Sequence, residues 1–166
     1  AVGLAIAERM LAARFNTRKH RIIDHFTYVL ASDGDMMEGL CYEATSLAGH
    51  LGLGKLIVFY DSNSITIDGG TALTFSDDVP TRFRACSWQV LEGDAYDLEG
   101  ILKLVDEAKL DPAKPSLILL RSQIGRGAPN LAGSHLAHGG ALGGVEAEGL
   151  KHALGIEGLF YVSPRA

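Results

Sequence analysis

Asp33 and Asn63 stand thirty residues apart, each just beyond an apolar run with strand character. Neighbouring parallel strands would bring these two side chains together past their carboxyl ends, where open α/β sheets bind ligands. An Asp and an Asn suit a hard cation. Mg²⁺ normally takes only one or two protein side chains and fills its octahedron with phosphate oxygens and water. A neutral amide beside a single carboxylate is reasonable there, because a second carboxylate would add negative charge next to the phosphates.

Gly34 has no Cβ, so backbone N–H groups at that turn can approach a phosphate. A helix expected a few residues later would direct its positive end to the same place. Together these parts form a diphosphate–Mg²⁺ cradle. Turn chemistry accounts for the same residues: Asp-Gly is a common turn, and Asn63 within Asp61-Ser62-Asn63-Ser64 fits another. Glu38 carries a similar ambiguity. Asp35 as N-cap with Glu38 at N3 predicts a capping-box-like pair, while the same position points a carboxylate into the strand-end crevice.

The elements that position these residues follow from hydrophobic periodicity. Val2, Ile6 and Met10 have i, i+4 spacing and predict a helix over about residues 2–15. Residues 26–31 and 56–60 are nearly continuous apolar runs, the signature of buried strands. Between them Leu40, Ala44, Leu47, Ala48 and Leu51 form a helical stripe, with Gly52 and Gly54 suited to its end. A strand, a helix and a strand over this span predict a βαβ unit with parallel strands. The pattern recurs in a short strand at residues 88–91, a helix capped by Asp97 with Leu98, Ile101, Leu102, Val105 and Ala108 on one face, and a strand at 116–120. The fold class expected is therefore α/β, a doubly wound parallel sheet with helices on both faces, in a single domain over residues 1–166.

Residues 125–144 break the pattern: seven of the twenty are Gly, and His135 and His138 lie among them. A long segment without periodicity inside a domain is usually functional or disordered. Two histidines three residues apart favour a functional loop. The chain begins in a helical pattern with no N-cap, which reads as a cut inside or just before a helix; Phe160 to Ala166 stops without a closing element, which reads as truncation there as well.

With 166 residues, 47% of them hydrophobic, the chain can build a substantial core. A formal charge of -5 and scattered basic residues argue against nucleic-acid and anionic-membrane partners. No apolar run approaches the roughly 18–20 residues of a membrane span, and no leader precedes the helix, so a cytoplasmic setting is expected. Cys41 and Cys86 lack disulfide-framework or zinc spacing and are read as reduced packing residues. His20, His25, His50 and His152 are read as surface or packing residues.

The run Ser32-Asp33-Gly34-Asp35-Met36-Met37-Glu38-Gly39, continuing through Tyr42-Glu43-Ala44, Ser46-Leu47-Ala48-Gly49-His50-Leu51 and Tyr60-Asp61-Ser62-Asn63 to Ile65-Thr66-Ile67-Asp68-Gly69, resembles transketolases. It spans that family's thiamine-diphosphate motif, Gly-Asp-Gly followed about thirty residues later by Asn. Lys114-Pro115-Ser116, Ile124-Gly125 and Gly133-Ser134-His135 through His138-Gly139 extend the likeness over nearly the whole chain. Two departures stand out: Ser32 replaces the usual Gly, and Gly139-Gly140-Ala141-Leu142-Gly143 lacks a proline often present there.

The resemblance implies thiamine diphosphate and Mg²⁺ as cofactors. It makes Asp33 and Asn63 the side-chain metal ligands, with the backbone carbonyl of Ile65 as a third, and Gly34 a diphosphate contact. Ile67 and Ile124 correspond to apolar contacts with the cofactor rings. His138 corresponds to a histidine that reaches both the diphosphate and the sugar, and Glu38 to a carboxylate of the cofactor region at the subunit interface. The role of His135 stays open. The implied reaction is transfer of a two-carbon ketol unit from a ketose phosphate to an aldose phosphate, in a homodimer whose second subunit contributes a pyrimidine-binding domain. That domain and the family's upstream substrate loop are not among these residues, so the chain alone is expected to be inactive. Three alternatives remain: another thiamine-diphosphate enzyme such as a deoxyxylulose-phosphate synthase, an acidic Mg²⁺ site at Asp33-Gly34-Asp35 for phosphoryl transfer, and a non-catalytic or split subunit.

Overall fold

The run Leu56-Ile57-Val58-Phe59-Tyr60 folds as an interior strand with apolar residues on both of its faces, in a computed structural model that describes residues 1–156, 158 and 160–162. The chain divides into two compact units, Ala1–Ser62 with Thr74–Ser122, and Asn63–Leu73 with Gln123–Ala166. The expectation for the C-terminal end falls partly on residues 163–166, outside those described.

The first unit contains α1 (Val2–Phe15), β1 (Thr27–Ser32), α2 (Asp33–Met37), α3 (Gly39–Leu51), β2 (Leu56–Ser62), α4 (Val79–Ala85), β5 (Gln89–Asp94), α5 (Leu98–Leu110) and β6 (Ser116–Arg121); the second contributes β3 (Ile65–Thr66) and β4 (Gly69–Gly70) between β2 and α4. Strand order in the first unit is β1-β2-β6-β5, and each pairing is parallel, with Thr27 opposite Leu56 and Ile57 opposite Ser116. The period-two alternation of a strand explains the layering. Leu56, Val58 and Tyr60 join Leu117 and Leu119 in a core with Ala5, Met36, Ala48, Val79 and Phe83 from α1 to α4. Ile57 and Ile118 face the other way and pack with Ala108, Leu104 and Val105 of α5. The sheet therefore has helices on both faces, as the alternating pattern predicts.

Local details differ from expectation. Ser32-Asp33-Gly34 is no turn, because α2 starts at Asp33 itself and Gly34 lies inside its first turn. The capping pair is also displaced by three residues. Both the N–H and the hydroxyl of Ser32 donate to the Asp35 carboxylate, at 2.8 and 3.0 Å, and Glu38 becomes the exposed joint between α2 and α3. Strand β1 runs to Ser32, so the first of two overlapping Ser/Asp-x-x-Asp/Glu patterns is the one at the strand end and takes the cap. The last strand before α5 starts at Gln89, one residue later than expected, and continues to Asp94.

The expected leucine stripes are only half right. In α3 the buried residues are Thr45 and Ala48, whereas Leu40 is 73% exposed and Leu47 also faces outward. In α5 Ala108, Leu104 and Val105 pack inward while Leu98 and Leu102 are exposed. Close approach of a helix to the sheet favours small residues on the contact face. Gly52 has φ 61° and caps α3 in the left-handed conformation, as its position suggested.

In the second unit β3 and β4 pair antiparallel, and α6 (Gly144–Ala153) follows the glycine-rich loop. The sequence reading anticipated neither of these, nor α4. Cys41 and Cys86 are both free thiols, as expected. Among the described residues no helix is long and apolar enough to cross a membrane.

Candidate functional site

Asp33 is placed by the register of β1 and β2: Ala31 lies opposite Tyr60 and Ser32 opposite Asp61, so Asp33 emerges one residue past the end of β1. Its carboxylate is buried, at 3% exposure for the residue, and the Tyr60 hydroxyl donates to Oδ1 at 2.7 Å. Tyr60 is itself 4% exposed. Burial pushes its phenol well above the ordinary tyrosine range, and the bond to the Asp33 carboxylate pushes it the same way. The hydroxyl is therefore a donor throughout the physiological range.

Helix α2 is fastened at both ends. Ser32 and Asp35 close its start, and Arg82 of α4 donates to the Met36 carbonyl at 3.0 Å near its end. The Arg82 guanidinium lies 3.8 Å from the centre of the Tyr42 ring, and Arg82 and the Tyr42 hydroxyl both donate to Asp77. A five-residue helix has too few internal bonds to persist unaided, so these outside contacts fix the segment that carries Asp33 and Gly34. A Cβ built on Gly34 meets no atom within 4 Å, so open space lies above this turn of backbone.

The second unit carries the other expected residues. The Asn63 side chain accepts from the Ile65 N–H at 2.9 Å across Ser64, whose φ is 62°. This is the turn chemistry that the spacing allowed. It fixes Oδ1 in direction. Ile65 lies opposite Gly70 in the β3–β4 hairpin, and Ile67 is exposed at the tip.

The 125–144 loop is built. Gly133 N–H donates to the Ile124 carbonyl at 2.8 Å, Ser134 caps a single 3₁₀ turn at His135–Ala137, and the His138 N–H donates to the His135 carbonyl at 2.9 Å. Both histidine side chains are exposed, as are His20, His25, His50 and His152. Glu146 of α6 clasps the loop: its buried carboxylate accepts from Asn130 Nδ2 at 2.6 Å and from the N–H groups of Asn130 and Leu131. The Asn130 amide, then its N–H, hold the Glu146 carboxyl below the usual glutamate range.

Asp33, Gly34 and Glu38 thus belong to the first unit, and Asn63, Ile65, Ile67, Ile124 and His138 to the second. Tyr60, Arg82, Asn130 and Glu146 escaped the sequence reading. Tyr60 did carry a signal, because it shares a strand face with Leu56 and Val58 and a buried phenol needs a partner. Among the described residues no three His, Cys, Asp or Glu side chains gather as a metal cage would.

Residues 1–164 match the family described as transketolase, thiamine diphosphate binding domain. The transketolase of Treponema pallidum is 54% identical over 99% of this chain. Transketolase 1 of Vibrio cholerae is 51% identical over 95%. The chain spans about a quarter of the length of these curated relatives, 25% and 24% respectively. Among solved structures, a transketolase from Leishmania mexicana superposes with a TM-score of 0.90 at 45% identity, over 94% of this chain and 23% of that one. A Pichia stipitis transketolase in complex with sedoheptulose-7-phosphate gives a TM-score of 0.90 at 42% identity, over 93% and 23%.

Proposed function

We propose, from the premise that this chain belongs to the transketolase family, that it supplies the diphosphate- and Mg²⁺-binding part of an enzyme transferring a two-carbon ketol unit between sugar phosphates. The observation that carries this reading is the family match over residues 1–164, which includes a buried carboxylate, Asp33, at a strand's carboxyl end. The donor set fits the metal: one carboxylate, the Asn63 amide oxygen and the Ile65 carbonyl are all hard oxygens, and one carboxylate suffices when phosphates provide further charge.

Asp33 contributes the anionic ligand and Asn63 a neutral one. Gly34 leaves its backbone N–H open to the diphosphate. Ile67 and Ile124 offer apolar surface to the cofactor rings. His138 holds the diphosphate and the sugar, and Glu38 lies at the contact with a second subunit. When bound, thiamine diphosphate supplies the nucleophilic carbon and the electron sink, while this chain's residues bind and orient. The whole chain, 1–166, acts as one domain of a homodimeric, cytoplasmic enzyme of pentose phosphate metabolism, with 125–144 as its active-site loop. A partner subunit's pyrimidine-binding domain completes each site, and the isolated chain is inactive. Ketose phosphates such as the one bound by the Pichia stipitis relative are the expected donors.

The test is thermal unfolding of the complete enzyme with thiamine diphosphate, with and without Mg²⁺, in wild type and Asp33→Ala. Ligand at about 100 times Kd stabilises the native state by roughly 2.7 kcal/mol. The wild type should show this increment only with Mg²⁺ and the variant should lose it; unchanged cofactor affinity in Asp33→Ala removes Asp33 from the site. Assaying ketol transfer against pyruvate decarboxylation separates this activity from that of a synthase.

A further inference from the structure

We propose that Tyr60 is a positioning residue for the metal, acting through Asp33. The inference rests on the proposed role of Asp33 as a Mg²⁺ ligand. Its geometric basis is the 2.7 Å bond from the Tyr60 hydroxyl to Asp33 Oδ1, between residues twenty-seven apart in sequence, both almost wholly buried.

An aspartate can turn about two side-chain torsions, and its two oxygens exchange places on rotation of the carboxylate. A ligand for an ion with strict octahedral demands must present one oxygen in one direction. Tyr60 belongs to β2 and is buried in the same core cluster as Leu56, Val58 and Met36. By holding Oδ1 it restricts rotation of the carboxylate.

The donor is neutral, which matters as much as its direction. An ammonium or guanidinium at the same place would fix the carboxylate but cancel the charge that attracts the cation. A phenol orients the group and leaves its charge in place. Outer-shell partners of this kind commonly govern metal affinity by roughly 10- to 100-fold.

The experiment uses the complete enzyme and three proteins: wild type, Tyr60→Phe and Asp33→Ala. Tyr60→Phe deletes only the hydroxyl and retains the packed ring. Calorimetric titration gives the Mg²⁺ half-saturation at fixed thiamine diphosphate, and the cofactor Kd at saturating Mg²⁺. The expected result for Tyr60→Phe is a Mg²⁺ half-saturation raised roughly 10-fold or more, with the cofactor Kd at saturating Mg²⁺ close to wild type and a lowered unfolding temperature without ligands, because the buried Asp33 carboxylate loses a donor. A purely structural role would raise the cofactor Kd at saturating Mg²⁺ as much as the Mg²⁺ half-saturation, and that outcome overturns the proposal, as does a Tyr60→Phe protein that fails to fold. An unchanged Mg²⁺ half-saturation in Tyr60→Phe, with Mg²⁺-dependent binding lost in Asp33→Ala, overturns the role of Tyr60 and leaves Asp33 as a ligand. Persistence of metal-dependent binding in Asp33→Ala overturns both.

Discussion

Gly49→Ala should destabilise the protein even though alanine is the better helix former. Gly49 lies inside α3, where replacing Gly by Ala gains about 1 kcal/mol from propensity alone. A Cβ built there, however, stands 1.7 Å from the Cys86 carbonyl oxygen and 2.9 Å from its carbon, with Trp88 Cδ1 at 3.3 Å. The oxygen contact is half the 3.4 Å at which ordinary packing begins. The obstacle is backbone, and it is braced: the Cys86 N–H donates to the carbonyls of Arg82 and Phe83, and the Trp88 N–H to that of Phe83. Overpacking costs about 1–3 kcal/mol where side chains can yield, and the upper end applies when backbone must move. Against the propensity gain, a net loss of about 2 kcal/mol remains, which lowers Tm by roughly 4–8 °C for a domain of this size. Circular dichroism melts would measure it. Gly3→Ala in α1 is the control, because no atom lies within 4 Å of its Cβ and only the propensity gain should register. A Gly49→Ala melting point at or above wild type would refute the close-approach argument.

Trp88→Phe removes the Nε1–H bond to the Thr45 carbonyl and trims a ring packed edge-on against Phe83, with ring centres 5.0 Å apart; a loss of about 2 kcal/mol is expected in urea titrations followed by circular dichroism, since Trp88 is the chain's one tryptophan. Lys55→Met strands the buried Glu8 carboxylate, 2.6 Å from the ammonium; because the lysine side chain is 30% exposed, the cost in the same titration should be about 1–2 kcal/mol, below the ~3–5 of a wholly buried pair. The Glu146 clasp has a defined pH dependence. Its carboxyl is held below the ordinary value, so the stabilisation is complete above the unfolded pKa near ~4.3 and fades only as pH falls through the lowered folded value. Amide exchange at Asn130 and Leu131, corrected for intrinsic rates, should stay protected from about pH 7 to 5 and accelerate below about 4. Loss of protection already near pH 6 would refute the assignment of that protection to Glu146.

What could be read in the sequence depended on whether the signal was local. The apolar run at 56–60, the Gly52 cap and the Asp97 cap each lie within one element, and the strand and both caps are present. Helix α4 was overlooked because seven residues give no period, although Asp78 as N-cap followed by Pro80 in the first turn was a usable start signal. The hairpin after Asn63 has strands of only two residues, too short for alternation to register. Asp33 and Asn63 were visible as strand-end residues. Their supports were not: Tyr60 meets Asp33 across twenty-seven residues and Glu146 meets Asn130 across sixteen, and no local pattern announces such a pairing.

The outward leucines carry a different lesson. Hydropathy reports that a surface is to be buried and says nothing about what buries it. In α3 and α5 the inward line is made of Thr45, Ala48 and Ala108 with partly buried neighbours, while Leu40, Leu47, Leu98 and Leu102 face away from the sheet. Placing the leucines of α3 and of α5 on a single stripe conflates two faces of each helix. Single exposed leucines are ordinary, but Leu40 and Leu47 lie seven residues apart on α3, whose N-cap is Glu38, the residue proposed to meet a second subunit. Two turns of helix separate them, so they occupy one side of α3. That exposed side of α3 fits the proposal that Glu38, at the start of the same helix, lies at the contact with a second subunit.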